Sequence, residues 1–573
     1  MAPPPNTPIA QAQEPSPTRR RRLLIAALGF LALVWFLYPA NPTEPQVLHR
    51  APHRRLCPQE TLNVAIIGAG SAGASAAYYL DLFRQPCRRL NITVYERNHY
   101  VGGRSTTVNV YDDPTHPVEL GASIFVPINH NLVNATNRYE LPIKSRGGAS
   151  KSEDTEILGI WDGREFVFTQ SDADNQYWNI AKLLWKYGIS PIRTQNLMKK
   201  TVGSFLKMYD PPSFPFKSIA DTAMELGLLD STTATGQQFL EANGVSGKFG
   251  HDIVQAATRV NYAQNLGQIH GLETMVCMAA EGGMSIDGGN WQIFDNMIKD
   301  SGATLLLNTT VSTITKDSGK YAIRATTASL DPAPDISSTE SNYDIVVLAS
   351  PLQFSNITFA PPLSSPPPFI PYVSLHVTLF TSPYRLSAAA FNLDSDVKMP
   401  TTILTTTPLD VDQSETLPFN SISRLGRVKV PEDYFYPLSP EGHVGCGTRA
   451  SQYLYKIFSP EPLTQLYIES LLDFDHTTPD KDNDMQLQDK PISWIHEKRW
   501  DAYPYLPPKS RFADIRLSMA DKEGDDARED GIWYTSGIES FISTMETSSL
   551  MGMNVARLVV DEWMKDDTGA GDA

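Results

Sequence analysis

The sequence predicts an α/β protein whose parallel sheet is assembled from distant parts of the chain, and three patterns lead to this prediction. First, residues 62–96 read as strand, glycine-rich turn, helix and strand, which is one βαβ unit. Second, apolar β-branched runs return at 302–314 and 343–349, where we expect further parallel strands. Third, an apolar run at 532–536 leads into a long helical pattern, which indicates a final strand and helix.

The chain ahead of the βαβ unit is predicted to hold the protein at a membrane. Residues 1–22 are a tail rich in Pro and Arg, residues 23–38 are almost wholly apolar, and residues 39–60 are a Pro-rich linker. The apolar run is a little short of the roughly 17–25 residues of a spanning helix, and the arginines before it should stay cytoplasmic. We expect one transmembrane helix of the signal-anchor type and a lumenal remainder, in the secretory pathway or in a lysosome or vacuole. A cleaved signal peptide stays the alternative.

Composition narrows the class of protein. The 573 residues are 41% hydrophobic, which allows a large core, and the net charge of -16 argues against general binding of nucleic-acid phosphates. Lumenal placement is supported by four Asn-x-Ser/Thr sequons, Asn91, Asn134, Asn308 and Asn356. Asn91 leads into a predicted buried strand, so we expect least room for a glycan there.

Four cysteines permit two disulfides in an oxidising compartment, with three possible pairings, or ordinary buried thiols: Cys57, Cys87, Cys277 and Cys446. No spacing in the sequence resembles a metal site.

Two regions alternate beyond residue 60. The nucleotide-binding domain is predicted to comprise residues 61–145, 281–360 and 501–573. An α+β substrate domain is predicted to take residues 146–280 and 361–500. Its first part should hold a hairpin around 161–168 followed by amphipathic helices within 175–229, and its second part should add more sheet.

The glycines of the βαβ turn predict dinucleotide binding. Gly68, Gly70 and Gly73 form Gly-x-Gly-x-x-Gly between a strand and a helix, which is the context in which this motif is informative. The first glycine permits a tight turn, the second a close approach to pyrophosphate, and the third close packing of helix on strand. Ser71 and Ala72 open the helix, whose free N–H groups favour anions. We therefore predict a Rossmann-type domain.

An acid at the end of the second strand strengthens this prediction. Glu96 lies 23 positions after Gly73, where a carboxylate can accept hydrogen bonds from an adenosine ribose, and Arg97 follows it as a further candidate. The next segment, Gly102-Gly103-Arg104, resembles the one that brings backbone and a guanidinium onto the diphosphate in two-dinucleotide-fold flavoproteins. The resemblance favours FAD over NAD.

Later segments resemble the remaining cofactor motifs of those flavoproteins. Gly121-Ala122-Ser123 stands where small residues run close to the flavin ring, and Val311 where backbone contacts adenine. Gly537 and Glu539 stand where an acid meets the ribityl or pyrophosphate region. Met545-Glu546 opens a helix whose N-terminus would face the flavin pyrimidine.

From about residue 61 to the C-terminus, the sequence resembles the prenylcysteine oxidase (prenylcysteine lyase) family. The resemblance rests on the segments 65–70, 259–264, 287–290, 500–505 and 537–549. It implies that FAD takes a hydride from the carbon bonded to sulfur in farnesyl- or geranylgeranyl-cysteine. Water and molecular oxygen then yield a prenyl aldehyde, cysteine and hydrogen peroxide, in the degradation of prenylated proteins.

The same segments offer candidates for a substrate pocket, with core packing left open as the alternative: Asn261, Tyr262, Trp500, Tyr503 and Tyr505. The N-terminal anchor departs from the family, whose members typically begin with a cleavable signal and act in lysosomes.

The sequence assigns no catalytic residue, because hydride loss requires no acid or base and the 11 histidines form no motif. Two other functions stay open. One is an FAD-dependent amine oxidase or isoprenoid desaturase, although the lysine that amine oxidases of this build often carry near the flavin cannot be placed. The other is a non-catalytic, membrane-anchored glycoprotein that retains FAD.

Overall fold

The computed structural model describes residues 61–86, 88–145, 157–171, 176–328, 337–408, 417–431, 451–474, 491–520 and 531–569. These ranges belong to one compact unit, Pro58–Ala573. The predicted membrane segment at 23–38 lies outside them, as do Cys57, Cys87 and Cys446. Within these ranges, no helix has the length and apolar character needed to cross a bilayer.

The strands, numbered in chain order, are β1 Thr61–Ile67, β2 Arg89–Tyr95, β3 Thr107–Asn109, β4 Pro117–Glu119, β5 Ile143–Ser145, β6 Ile157–Trp161, β7 Phe166–Ser171, β8 Met284–Ile286, β9 Thr304–Leu306, β10 Thr309–Asp317, β11 Lys320–Thr327, β12 Ser337–Tyr343, β13 Ile345–Leu348, β14 Thr358–Ala360, β15 Tyr372–Ser382, β16 Thr402–Thr405, β17 Ser421–Lys429, β18 Ser451–Ser459, β19 Trp494–Pro504, β20 Arg516–Leu517 and β21 Ile532–Tyr534.

The helices are α1 Ser71–Phe83, α2 His130–Arg138, α3 Gln176–Tyr187, α4 Ser190–Leu206, α5 Ile219–Glu225, α6 Leu229–Thr232, α7 Gly236–Ala242, α8 Gly247–Phe249, α9 Gln255–Tyr262, α10 Gly271–Met278, α11 Trp291–Asp300, α12 Gln465–Ser470 and α13 Met545–Gly569.

A six-stranded sheet in the order β20-β21-β13-β1-β2-β9 forms the centre of the nucleotide-binding region. Its strands are parallel except for β20. Because side chains alternate along a strand, Val64 and Ile66 of β1 pack in the core that includes α1, α11 and α13. Ala65 and Ile67 pack in a second core, against a four-stranded sheet. These strands come from widely separated parts of the chain, which confirms the predicted Rossmann-type fold.

The expectation of parallel strands at 302–314 is right for β9 and only partly right for β10. β10 lies in the four-stranded sheet β12-β11-β10-β14, where it pairs parallel with β14 and antiparallel with β11. The cause is a tight turn at Ser318-Gly319, where both residues have positive φ, 49° and 77°. A two-residue turn with positive φ at both positions matches the twist of a β-hairpin, so the chain folds straight back on itself.

The second region is built on a seven-stranded sheet in the order β19-β15-β18-β17-β16-β6-β7. The helices α3 to α10 follow β7 in the chain. The predicted hairpin is confirmed, since β6 and β7 pair antiparallel. In β18, Tyr453, Tyr455 and Ile457 belong to an apolar core. Lys456 and Phe458 lie on the opposite face and line the cavity described below. The exact domain boundaries stay predictions.

Cys277 corrects the disulfide hypothesis. It lies in α10 as a buried free thiol, so two disulfides that use all four cysteines are ruled out. Burial raises the pKa of this thiol well above its usual value, which keeps it protonated.

Candidate cofactor and substrate site

The turn between β1 and α1 has the geometry that its glycines predict. Gly68 has φ 111°, and a Cβ there would lie 2.9 Å from the carbonyl oxygen of Ala349. A Cβ at Gly73 would lie 1.9 Å from the Gly68 carbonyl oxygen, so this glycine lets the helix pack on the turn. A Cβ at Gly70 would have its nearest neighbour, the Gly103 Cα, 4.0 Å away, and Gly70 lines a cavity. The turn therefore leaves open space at the N-terminus of α1, which fits a bound phosphate group.

Glu96 is buried at the end of β2 and is held on both carboxylate oxygens. Its Oε2 accepts a hydrogen bond from the Ala69 amide at 2.9 Å, and its Oε1 accepts one from the Asn98 amide at 2.8 Å. Arg97 donates to the carbonyl oxygen of Phe354 at 2.8 Å. The carboxylate is thus fixed at the cavity edge, where a ribose could reach it.

Arg104 and Glu539 form an ion pair. The guanidinium donates from Nη2 to Glu539 Oε2 at 2.7 Å and from Nη1 to the carbonyl oxygen of Ala502 at 2.6 Å. Tyr372 donates its hydroxyl to the same Glu539 oxygen at 3.1 Å. Both ion-pair partners line the cavity, but the predicted contact of Arg104 with a diphosphate stays a prediction.

The Gly121-Ala122-Ser123 segment runs directly over Arg104. Ala122 donates its amide to the Arg104 carbonyl oxygen at 3.1 Å, and a Cβ at Gly121 would lie 2.1 Å from that oxygen. Asn290 supports the segment from behind, with its side-chain amide donating to the Ala122 carbonyl oxygen at 3.0 Å. The small residues therefore let this segment pack closely against the Arg104 backbone while it lines the cavity.

Lys456 is a site residue that sequence reasoning missed. It is buried, and its Nζ donates to the Glu119 carbonyl oxygen at 2.6 Å and to Ser123 Oγ at 3.0 Å. The same ammonium lies 4.8 Å from the centre of the Phe458 ring. The sequence did carry one signal, because Lys456 is the single charged residue in the apolar run Tyr453 to Phe458. A lysine buried in such a strand needs hydrogen-bond partners, which indicates a polar site nearby.

Glu119, on the rim of this segment, carries a perturbed carboxyl group. Burial raises its pKa to about 7, while the Asn290 amide and Lys456 act in the opposite direction. Its Oε1 accepts from the Asn290 amide at 2.6 Å. The group therefore changes charge near neutral pH.

Glu546 lines the cavity, and its carboxylate is also held within the protein. Its carboxylate accepts hydrogen bonds from the amides of Asn131 at 2.8 Å and Leu132 at 3.0 Å, and from the Tyr209 hydroxyl at 2.6 Å. Glu546 thus caps the N-terminus of α2 from a distant part of the chain. Burial raises its pKa to about 7. Its predicted contact with the cofactor stays a prediction.

These segments surround one cavity of about 1230 Å³. Val311 and Met545 line it, with Ser71 bonded to the Met545 carbonyl oxygen at 2.6 Å. Among the predicted cofactor residues, all of which the structure describes, only Gly73 and Gly537 do not line the cavity. A group as large as a dinucleotide therefore has space beside the residues predicted to hold it.

Two other parts of the cavity lining, a helical wall and a sheet wall, differ in chemical character. The helical wall is apolar and includes Val202, Phe205 and Leu206 of α4 and Val276 of α10, and Ile124 and Ile128 of the chain before α2 also line the cavity. The sheet wall mixes apolar with polar groups and includes Leu404, Ser421, Ser423, Lys456, Phe458 and Lys498.

Four of the five predicted substrate residues line the cavity. Tyr262 and Tyr503 have ring centres 5.1 Å apart, and the Tyr262 hydroxyl donates to the Ser543 carbonyl oxygen at 3.0 Å. Asn261 and Trp500 also face the cavity. Tyr505 is different, because β19 ends at Pro504 and Tyr505 is 40% exposed at the surface.

The sequons occupy different environments. Asn91, Asn134 and Asn356 are exposed, and Asn308 is half-buried. Because Asn91 is exposed, the expected lack of room for a glycan there does not apply. Its side-chain amide donates to Asn63 Oδ1 at 3.0 Å. Asn356 lines the cavity. Glycosylation stays a prediction at all four.

Comparison with known proteins supplies an independent line of evidence. Residues 170–572 match a family model described as prenylcysteine lyase, and residues 66–138 match one described as an NAD(P)-binding Rossmann-like domain. The chain is 28% identical to a farnesylcysteine lyase of Arabidopsis thaliana, covering 87% of this chain and 88% of that one. It is 29% identical to prenylcysteine oxidase 1 of Homo sapiens, covering 87% and 89%.

Solved structures agree on the fold. A triple mutant of putrescine oxidase superposes with a TM-score of 0.50 at 13% identity, covering 88% of this chain and 99% of that one. At this level of identity the likeness concerns the fold alone.

Proposed function

The chain belongs to the prenylcysteine lyase family, and from this premise we propose that it is an FAD-dependent prenylcysteine oxidase. Its substrate would be farnesyl- or geranylgeranyl-cysteine released from prenylated proteins. The observation that carries the proposal is the single cavity that joins the dinucleotide turn to an apolar wall. A cofactor and a lipid-like substrate can meet there without leaving the protein.

The chain's own residues fit FAD. Gly68, Gly70 and the start of α1 suit the pyrophosphate, Glu96 suits the adenosine ribose, and Gly121-Ala122-Ser123 leaves room for a flat ring. When bound, FAD supplies a hydride acceptor that molecular oxygen can reoxidise to give hydrogen peroxide.

The two remaining walls suit the two ends of a prenylcysteine. The apolar helical wall, with Val202, Phe205 and Leu206, would take the prenyl chain and exclude water from it. The sheet wall, with Lys456 and Lys498, would face the polar cysteine end, whose carboxylate is anionic. This orientation brings the carbon next to sulfur to the middle of the cavity.

The overall reaction balances without a catalytic acid. A hydride leaves the carbon bonded to sulfur, the oxygen of a water molecule adds to that carbon, and the C–S bond breaks. Cysteine leaves as the thiol, the prenyl carbon becomes an aldehyde, and oxygen takes up two electrons and two protons.

An amine oxidase remains a second candidate, and Lys456 is the observation that favours it. Amine oxidases of this build often carry a lysine near the flavin, and Lys456 is a lysine that lines the cavity. Its ammonium is already bonded to Ser123 and to the Glu119 carbonyl, which is compatible with either substrate.

We also propose that the domain lies in the lumen of the secretory pathway or of a lysosome or vacuole, held by the predicted segment at 23–38. The support is the run of arginines ahead of that segment and the four sequons. Protease protection of the domain in sealed microsomes tests the orientation.

The reaction is tested by recording the visible spectrum of the purified protein and adding farnesylcysteine without oxygen. Loss of the oxidised flavin absorption, followed by aldehyde, cysteine and peroxide when oxygen is admitted, supports the proposal. Bleaching by amines but not by farnesylcysteine would establish the second candidate. A bound flavin that no substrate reduces would favour a non-catalytic FAD-binding glycoprotein, and well-folded protein without flavin would refute the cofactor assignment.

A further inference from the structure

The helices α3 and α4 expose an apolar cluster that the proposed reaction does not use. Trp185 is 94% exposed, Ile189 is 56% exposed and Ile192 is 49% exposed. Trp185 lies in the last turn of α3, Ile189 in the connection between the two helices and Ile192 in the first turn of α4, so the three exposed side chains flank one helix junction. A tryptophan with almost its whole side chain in solvent carries a substantial cost in exposed apolar area unless something covers it.

The cluster lies in the most basic part of the described chain. Between Asp174 and Asp210 the sequence has six lysines and arginines and no acid, in a chain whose net charge is -16. On α4 the residues Ile192, Arg193, Lys199 and Lys200 are all exposed, and Ile192 and Lys199, like Arg193 and Lys200, are seven residues or about two helical turns apart, so all four lie on one side of the helix. We call Trp185, Ile189, Ile192, Arg193, Lys199 and Lys200 the basic-apolar face.

Contacts beneath the face keep it oriented outward. Thr194, Leu197 and Thr201 of α4 are buried, so the opposite side of the helix is fixed in the core. Lys186 pairs with the buried Asp252 at 3.5 Å and is not counted in the face. Arg193 donates to the carbonyl oxygen of Gly244, which leaves its charge without a carboxylate in that contact.

From these observations we infer that the basic-apolar face docks on a lipid bilayer that carries anionic headgroups. Trp and Ile side chains enter the boundary between headgroups and acyl chains, and lysines and arginines beside them meet the negative surface. A protein partner would need acids to match the lysines, but would not explain a bare indole flanked by isoleucines as directly as a bilayer interface does.

The inference connects to the cavity through one helix. α4 carries Ile192 near its start, and its last turns contribute Val202, Phe205 and Leu206 to the apolar wall. Seventeen residues of α-helix span about 25 Å, so docking would place the apolar wall within reach of the bilayer surface. The inference does not rest on the proposed reaction, and it does not need the segment at 23–38.

The test uses residues 58–573, which form a compact unit without the predicted anchor. Sedimentation with vesicles of phosphatidylcholine and phosphatidylserine is compared with sedimentation with phosphatidylcholine alone. We expect binding to the anionic vesicles, and a loss of about tenfold or more in partition coefficient for Trp185→Ser/Ile189→Ser and for Lys199→Glu/Lys200→Glu. Leu466→Ser, at a residue 77% exposed on α12, is the matched control and should bind as the unaltered protein does.

Thermal unfolding establishes that each variant is folded, which surface substitutions should allow. Unaltered protein that ignores anionic vesicles overturns the inference, as does binding that both pairs of substitutions leave unchanged. Loss of binding with Leu466→Ser to the same degree also overturns it, because the face would then have no special role.

Discussion

The Lys456 ammonium donates a hydrogen bond to the Ser123 hydroxyl at 3.0 Å, across a sequence separation of 333 residues. The contact ties the seven-stranded sheet to the small-residue segment that we expect beside the flavin. One side chain of the substrate region thus holds the position of a segment of the cofactor region.

Replacing Lys456 by methionine keeps most of the side-chain volume and removes the charge. We expect flavin to stay bound, unfolding free energy to fall by about 1–3 kcal/mol because two acceptors lose their donor, and the flavin reduction rate to fall about tenfold or more. Anaerobic stopped-flow reduction and urea unfolding measure these effects. Lys456→Arg keeps the charge and should lie between the two proteins, whereas an unchanged reduction rate in Lys456→Met would exclude a role in the reaction.

Glu96→Gln should weaken cofactor binding. A carboxamide offers one acceptor oxygen, so one of the amides of Ala69 and Asn98 would face an NH₂ group. We expect the dissociation constant for FAD to rise about 10- to 100-fold, measured by titrating cofactor-free protein. Glu340→Gln, at a side chain 58% exposed in another sheet, is the control, and equal affinity in both variants would contradict the role of Glu96.

Local motifs were predictable because their geometry is contained in a few neighbouring residues. Gly68, Gly70, Gly73 and Glu96 lie within one βαβ unit, and strand-turn-helix chemistry alone places them together. The hairpin at Ser318-Gly319 is also local, but turns with positive φ at both central residues favour Asn, Asp or Gly at the first position, and Ser318 gives no such signal.

Long-range pairings could not be predicted from spacing. Glu546 and Asn131 are 415 residues apart, and nothing in the sequence near Glu546 distinguishes a helix cap from a cofactor ligand. Tyr505 is two residues after Tyr503, so in a continuing strand both side chains would lie on the same face of the sheet. The strand ends at Pro504, and the alternation of side chains does not extend to Tyr505. The burial of Lys456 depends on Glu119 and Ser123, which only the fold brings near.

The length of the apolar pocket can be tested at Leu206. Leu206→Trp adds bulk to the helical wall, where we place the prenyl chain. We expect kcat/KM to fall more for geranylgeranylcysteine than for farnesylcysteine, because the longer chain needs more of the pocket, and flavin content should not change. Gly203→Ala is the matched control on α4, since a Cβ there meets nothing within 4 Å. Equal losses for both substrates would place the chain elsewhere in the cavity.

Glu546 should give the stability of the fold a distinct pH dependence. Burial raises the pKa of its carboxyl group from 4.5 to about 7, so the folded state holds this proton more tightly than the unfolded chain. Stability is therefore lost as the pH rises from about 4.5 to about 7, the range between the unfolded and folded pKa values. Glu119 and Glu273, whose pKa values burial also raises to about 7, act in the same direction.

Glu546→Gln removes one of these three titrations. We expect the unfolding free energy of this variant to fall less steeply between pH 4.5 and 7 than that of the unaltered protein, as followed by urea unfolding at several pH values. Glu340→Gln, at an exposed acid, should leave the pH profile unchanged. If Glu546→Gln ran parallel to the unaltered protein at every pH, the Glu546 carboxyl group would not titrate between pH 4.5 and 7, and the prediction would be wrong.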